Sequence, residues 1–255
     1  MTNAKFNEFV RIVKKLRVEC PWDREQTNDS IKAATIEEAY EVVEAIDKKD
    51  YTDLKNELGD LLLHVVFHTV IAEESNHFKI DDVIDSIREK LIRRHPHVFG
   101  NKQVSGADEV KKNWEEIKLS EGRESILDGV PELLPGLQRA HRLQEKVAKV
   151  GFDWEKKEDV WKKVIEEIEE MHRSEKEELH DELESEIGDV FFALVNYARF
   201  LGINPENALR KTNRKFITRF GYVEDKITES GRKLSDSTLK EMDKYWEESK
   251  KVLSD

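Results

Sequence analysis

The sequence predicts an all-α protein built from two tandem copies of one helical module. Apolar residues recur at helical spacing through most of the 255 residues. Gly and Pro number only 11 and 5, and so few turn-forming residues argue against a β protein. Two acidic segments also recur at one fixed interval, which indicates an internal duplication.

Five helices are predicted in the first half of the chain. Their approximate ranges, set by their apolar stripes, are 6–16, 31–47, 53–74, 81–91 and 107–119. Residues 20–23 (CPWD) interrupt the pattern after the first helix, and Asp81 is expected to cap the fourth. The segment 95–106 is predicted to be irregular because it contains Pro and Gly.

Five more helices are predicted in the second half. Their approximate ranges are 137–150, 160–171, 178–201, 205–227 and 239–252. Pro205 suits the first turn of its helix, where an N–H would have no partner. The segment from Ser120 to Gly136 holds three Gly and two Pro and is the best candidate for a linker. The predicted domains are therefore residues 1–120 and 137–255, joined by a linker at 121–136.

The duplication is clearest in the acidic segments. Residues 37–41 (EEAYE) resemble residues 166–170 (EEIEE), and residues 57–60 (ELGD) resemble residues 186–189 (EIGD). The interval from position 38 to position 167 equals the interval from 57 to 186, and we call it the repeat interval. Basic and aromatic blocks recur further along each half in the same order. The two halves therefore share one plan.

Each half carries four acidic residues on two successive helices, in Glu-x-x-Glu and Glu-x-x-Asp pairs. They are Glu38, Glu41, Glu57 and Asp60, and then Glu167, Glu170, Glu186 and Asp189. Residues three apart share a helix face, so antiparallel packing of the two helices would bring four carboxylates together. Because four like charges repel, such a cluster suits a hard divalent cation, Mg²⁺ or else Mn²⁺.

Plainer interpretations of the acidic pairs exist. A single Glu-x-x-Glu in a chain of net charge −12 is usually solvated helix surface. Thr35 and Glu38 also have the spacing of a helix capping box, but the second copy lacks it. Gly59 and Gly188 lie inside strongly helical segments, where Gly costs about 1 kcal/mol relative to Ala. They indicate close helix packing or room for a ligand.

Cationic and aromatic residues follow each acidic pair. Lys90 and Arg94, like Lys215 and Arg219, are four apart and share a helix face. Such pairs can hold phosphate oxygens and offset the charge of a leaving pyrophosphate, although most are ordinary surface charges. A Trp and a Lys four residues apart follow in each half, and the Trp is either a stacking surface or a packing anchor. These residues are Trp114 with Lys118 and Trp246 with Lys250.

Further motifs flank the acidic blocks. They are residues 20–23 (CPWD) and 94–99 (RHPHVF) in the first half, and 151–154 (GFDW) and 213–216 (NRKF) in the second. Together with the repeated acidic pattern, they resemble the MazG family of nucleoside triphosphate pyrophosphohydrolases over nearly the whole chain. The resemblance implies an all-α fold of the NTP pyrophosphatase type, related to dimeric dUTPases. It also implies a homodimer, Mg²⁺, and activity on NTPs and dNTPs with broad base specificity.

The resemblance also implies roles for individual residues. The eight acids would be metal ligands, and the nucleotide would be held by the basic and aromatic residues, which are Lys215, Arg219, Trp246 and Lys250, matched by Lys90, Arg94, Trp114 and Lys118. Asn213 stands where the first half has Arg88. An Asn can accept a hydrogen bond from a base or sugar and an Arg cannot, so we expect the C-terminal half to be the main site.

The expected reaction is in-line attack of water that separates the α- and β-phosphates and releases nucleoside monophosphate and pyrophosphate. Positioning and charge stabilisation suffice for such a transfer. A second-sphere carboxylate, Glu166 or Glu37, would orient or deprotonate the water. The predicted catalytic residues are Glu166, Glu167, Glu170, Glu186 and Asp189.

Other classes of protein fit the sequence less well. A net charge of −12 opposes binding to a nucleic-acid polymer, and no apolar segment is long enough to span a membrane. The single cysteine, Cys20, excludes an intrachain disulfide, and we expect a cytoplasmic protein. A di-iron bundle needs Glu-x-x-His pairs, which the acidic blocks lack. A regulatory helical dimer with degenerate sites stays as the alternative, and His64 and His68 are expected to be core or second-sphere groups.

Overall fold

A computed structural model describes residues 2–122, 124–177 and 180–253, except for the side chains of residues 2, 3, 108, 111, 112, 115, 116, 119 and 120. Within these ranges every regular element is a helix and there is no strand. The predicted all-α fold is therefore confirmed. None of the described helices is both long and apolar enough to cross a membrane.

The helices follow one another with short connections. In the first half they are α1 (Thr2–Glu19), α2 (Pro21–Glu25), α3 (Lys32–Lys48), α4 (Tyr51–Glu74), α5 (Ile80–Arg94), α6 (Pro96–Phe99) and α7 (Ala107–Ser120). In the second half they are α8 (Gly136–Ala148), α9 (Lys157–Lys176), α10 (His180–Phe200), α11 (Pro205–Glu229) and α12 (Leu239–Val252), with a 3₁₀ turn at Leu234–Asp236.

The chain divides into two compact units, Met1–Trp114 and Glu115–Asp255. In the first unit α4 packs against α1 and α3. In the second unit α9 and α10 form a long helical pair, α8 packs against α10 and α11, and α12 packs against α11. The predicted domain limits at 120 and 137 stay a prediction.

The core of the first unit lies toward the C-terminal end of α4. It is formed by Val10, Val13, Ile31, Val66, Phe67 and Val70. The buried residues of α4 begin only at Val66. The first half of α4, which carries Glu57 and Asp60, therefore lies outside this apolar core.

Two local predictions need correction. Asp81 does not cap α5: the helix begins at Ile80, and Asp82 accepts a hydrogen bond of 2.8 Å from the backbone N–H of Lys79. The segment 95–106, predicted to be irregular, contains the short helix α6. The interruption predicted at 20–23 is present, since α1 ends at Glu19, and the short helix α2 follows at Pro21. Both short helices start with Pro, which is favoured in the first turn. Glu178, predicted to begin a helix, lies outside the described residues.

Candidate functional site

The acidic residues of the first unit meet because α3 and α4 form a tight antiparallel pair. Only Lys49 and Asp50 separate the two helices. Lys49 has a left-handed backbone with φ of 57°, and Asp50 caps α4 by accepting hydrogen bonds from two backbone N–H groups. So short a connection makes the helices run antiparallel. The two Glu residues of α3 therefore face the acidic turn of α4.

Three carboxylates of the first unit form a close cluster. Oxygen atoms of Glu38, Glu41 and Glu57 lie within 4.8 Å of one another. Asp60 is near enough for its charge to raise the pKa of Glu38, after burial and Glu41. Burial, followed by repulsion from Glu41 and Asp53, raises the pKa of Glu57 to about 7. Carboxylates crowded in this way disfavour one another's charge, and a cation bound among them would relieve that repulsion.

The second unit repeats this arrangement on α9 and α10. Oxygen atoms of Glu167, Glu186 and Asp189 lie within 4.8 Å of one another, and Glu167 is only 7% exposed. The pKa of Glu186 is raised by burial first and then by the charges of Glu170 and Asp189. All four predicted acids of this unit are therefore in electrostatic contact. A donor set made only of carboxylates fits a hard divalent cation.

Lys163 distinguishes the second cluster from the first. Its Nζ donates to Glu166 Oε1 at 2.7 Å and lies 2.6 Å from Glu167 Oε1. These hydrogen bonds raise the pKa of the ammonium group. One repeat interval earlier, the first unit has Ala34. Lys163 was not among the predicted site residues, although its position four residues before Glu167 on one helix was a usable signal.

A hydrogen-bonded network lies behind the first cluster. Thr35 Oγ1 is 3.0 Å from His64 Nδ1 and 2.8 Å from His68 Nε2, and His68 Nδ1 is 2.8 Å from Asn28 Oδ1. His64 Nε2 approaches Glu38 at 3.9 Å. Thr35 thus lies inside α3 and does not cap it.

The same layer of the second unit is largely apolar. One repeat interval later, Thr35 is replaced by Val164, His64 by Ala193 and His68 by Tyr197. Val164 and Ala193 are buried. The surroundings of the two acidic clusters therefore differ chemically, although the carboxylates themselves repeat.

The second cluster adjoins a large cavity. The cavity has a volume of about 730 Å³, which is the size of a typical small-molecule site. Its apolar walls include Leu143, Val147, Phe152, Trp154 and Phe192. Glu167 and Asp189 line the same space, so the acidic cluster opens onto a pocket with aromatic walls. The motif at 151–154 is recognisable in the sequence, but its place in this wall was not predicted.

The predicted substrate-binding residues of the second half lie elsewhere in this unit. Asn213, Lys215 and Arg219 are on α11, and Trp246 and Lys250 are on α12. The ring of Trp246 packs against Phe216 with centroids 5.2 Å apart, and Lys250 pairs with Glu247. None of these five residues is among those lining the cavity. Their roles toward a nucleotide stay predictions.

The matching residues of the first half are also spread over several helices. Lys90 of α5 lines a smaller cavity of about 400 Å³ with Phe78 and Ile87. Trp114 packs edge-on against His95, with ring centroids 5.2 Å apart. Arg94 lies at the end of α5 and Lys118 lies on α7. Their roles also stay predictions.

Gly59 and Gly188 lie next to the two acidic clusters. A Cβ atom built on either glycine would meet nothing within 4 Å. Close packing against another part of the described chain therefore does not explain them. Both glycines are exposed in the described chain, so the space next to them is open to a ligand or to a second chain.

The fold and the two clusters define the class: an all-α protein with a duplicated carboxylate site of the kind that holds divalent cations. A sequence model described as the MazG nucleotide pyrophosphohydrolase domain matches residues 26–99 and 155–223, which include both clusters. The chain belongs to this family.

Full-length relatives agree with this assignment. A Thermotoga maritima protein named nucleoside triphosphate pyrophosphohydrolase/pyrophosphatase MazG is 45% identical, over 96% of this chain and 95% of its own length. An Escherichia coli K12 protein named nucleoside triphosphate pyrophosphohydrolase is 41% identical, over 97% of both chains.

A crystal structure of a mazG-related protein from Thermotoga maritima is 26% identical, covers 44% of this chain and 98% of its own, and superposes with a TM-score of 0.40.

Proposed function

We propose that this protein is a Mg²⁺-dependent hydrolase that converts NTPs and dNTPs to nucleoside monophosphate and pyrophosphate, with broad base specificity. Mn²⁺ is the alternative ion. The observation that carries the proposal is the carboxylate cluster of Glu167, Glu186 and Asp189 beside a cavity large enough for a small molecule. The activity named for the two full-length relatives supports it.

In this proposal the cation of the second unit is held by four carboxylates, those of Glu167, Glu170, Glu186 and Asp189. When bound, the cation neutralises phosphate charge and makes water a better nucleophile. Glu166 is exposed beside the cluster and within hydrogen-bonding distance of Lys163, so its carboxylate is the candidate to orient the attacking water. Lys215 and Arg219 would offset the charge of the departing pyrophosphate. Asn213, Trp246 and Lys250 would contact the nucleotide from outside the described lining of the cavity, in which the base itself would lie.

The second unit is proposed as the main catalytic site. Among the described residues it has the large cavity that adjoins its acids, and it has Lys163 beside Glu167. The first unit would hold its cation with Glu38, Glu41, Glu57 and Asp60, and its proposed nucleotide contacts are Lys90, Arg94, Trp114 and Lys118. A cytoplasmic location belongs to the same proposal. So does the lack of binding to nucleic-acid polymers, which the net charge of −12 supports.

Product analysis tests this function directly. We expect the purified chain with Mg²⁺ to release one pyrophosphate and one nucleoside monophosphate from each NTP and dNTP of a panel, and no nucleoside diphosphate. Chromatography of nucleotides together with a pyrophosphate assay measures this. Release of orthophosphate with NDP would contradict the cleavage position. Folded protein without turnover in Mg²⁺ or Mn²⁺ would favour the regulatory helical dimer.

We also propose a homodimer, because two matching apolar stripes are exposed. The stripes are Leu58, Leu62 and Val65 on α4 and, one repeat interval later, Ile187, Phe191 and Leu194 on α10. The spacing places each stripe on one helix face. Contiguous exposed apolar surface of this kind marks protein interfaces, and a second copy of the chain is its proposed partner.

Phe191→Glu is expected to dissociate the dimer. The side chain is 57% exposed in one chain, and a charge placed at the centre of an apolar interface cannot be solvated. Light scattering should then give the mass of one protomer, 29.9 kDa, rather than twice that mass. Leu133→Glu is the control, because Leu133 is 92% exposed and lies on neither stripe. A monomeric wild type would refute the proposed dimer.

A further inference from the structure

Gln144 on α8 carries a buried acceptor that nothing in the described chain satisfies. The side chain is 5% exposed, and its Nε2 donates to the backbone carbonyl of Phe192 at 2.8 Å. Because a carbonyl oxygen can only accept, this contact settles which end of the amide is the nitrogen. Oε1 is then closed to solvent and has no hydrogen-bond partner among the described residues. Such groups are uncommon in native proteins and call for an explanation.

The position of Gln144 suggests a ligand as that explanation. Gln144 lines the 730 Å³ cavity together with Glu167 and Asp189. Several other polar side chains of the lining already have partners inside the chain. Arg199 donates to Asp153 at 3.0 Å and to Asn196 at 3.0 Å, and Lys163 pairs with Glu167. The side chain that carries the unsatisfied acceptor is therefore a polar member of a lining that also contains the apolar residues Leu143, Val147 and Phe192.

The chemistry of the wall indicates which part of a nucleotide would lie there. Glu167 and Asp189 would bind the cation, and the phosphates would lie next to that cation. Phe152, Trp154 and Phe192 present aromatic and apolar surface, which suits a planar base and not a charged phosphate. Among apolar walls, a single polar group fixes the orientation of a bound ring.

We propose that Gln144 Oε1 accepts a hydrogen bond from an N–H group on the Watson–Crick edge of the nucleobase. This inference rests on the function proposed above. Each common base offers such a donor: the amino groups of adenine and cytosine, N1–H of guanine, and N3–H of uracil and thymine. One acceptor can therefore serve all of them, in agreement with broad base specificity. It would discriminate against a ring that has no donor on that edge.

The test compares ATP with purine riboside 5′-triphosphate, which has the same ring system without the amino group. We expect kcat/KM of the wild type to be about tenfold or more lower for the analogue, because its complex leaves a buried acceptor unpaired. Gln144→Met removes the acceptor and keeps the length of the side chain, so the ratio of the two kcat/KM values should approach one. Gln138→Met, on the same helix but outside the cavity lining, should keep the wild-type ratio.

Each outcome separates this inference from the function on which it rests. Equal kcat/KM for ATP and the analogue in the wild type would overturn the role of Gln144 and leave the pyrophosphohydrolase intact. Folded wild type that hydrolyses neither nucleotide would overturn the function itself. Loss of kcat/KM with 2′-deoxy-ATP or 3′-deoxy-ATP, but not with the analogue, would mean that the donor is a ribose hydroxyl and would refute a base contact. If Gln144→Met does not fold by circular dichroism, the wild-type ratio alone decides.

Discussion

Glu186→Gln is expected to lower kcat/KM for pyrophosphate release by roughly 10²–10³-fold. Removal of one group that stabilises charge in a catalytic site usually lowers the rate by about this factor. The substitution takes one negative charge from the cluster that Glu186 forms with Glu167 and Asp189. It keeps the shape of the side chain, so binding of the cation and positioning of the triphosphate suffer while the fold does not. Initial rates with ATP and Mg²⁺ measure the effect, and circular dichroism checks the fold.

The duplication supplies a matched control for this experiment. Glu57→Gln makes the same change at the same place in the first unit, one repeat interval earlier, in a cluster with Glu38 and Glu41. We expect it to change kcat/KM by less than about tenfold, if the second unit does most of the chemistry. The reverse order of effects would move the main site to the first unit. Wild-type rates in both variants would remove these carboxylates from the mechanism.

Chelation is expected to abolish turnover without unfolding the protein. The buried residues of the first unit, such as Val10 and Val66, form an apolar core apart from the acids. The second unit has buried apolar residues of its own, such as Val160 and Val223, so we expect helix packing in both units to persist without a cation. Added Mg²⁺ should restore activity. It should also raise Tm, because it binds the folded clusters: at 100 times Kd the gain is about 2.7 kcal/mol for one site, or roughly 5–10 °C for a chain of this size.

Two measurements check the chelation experiment. Pyrophosphate release is followed before and after EDTA and after Mg²⁺ is added back, and Tm is followed by calorimetry. The double variant Glu57→Gln with Glu186→Gln weakens both clusters and is the control, since its Tm should respond much less to Mg²⁺. Full activity in EDTA would contradict the proposed cation dependence. An unchanged Tm response in the double variant would place the cation elsewhere.

Several features near the site could not be predicted from the sequence. Trp246 and Lys250 share a helix face with the correct spacing, yet their contacts are Phe216 and Glu247, and neither residue lines the cavity. Lys163 looks like any surface lysine of an amphipathic helix until its two carboxylate partners are seen. Gly59 was compatible with tight packing or with free space, and only the surrounding atoms, which are absent within 4 Å, decide between them.

The helices, the duplication and the two groups of acids followed from the sequence alone. Helical periodicity and the spacing of Glu38 and Glu41 are local properties, because residues three apart share a face wherever the helix lies. The cavity was decided by the tertiary structure. Its walls combine α8, α9 and α10 with residues such as Phe152 between them. The orientation of the Gln144 amide is set by a hydrogen bond from its nitrogen to the backbone of Phe192, 48 residues away. Contacts between helices that are far apart in the chain depend on how their side chains pack together. The spacing of residues within one helix does not predict that packing.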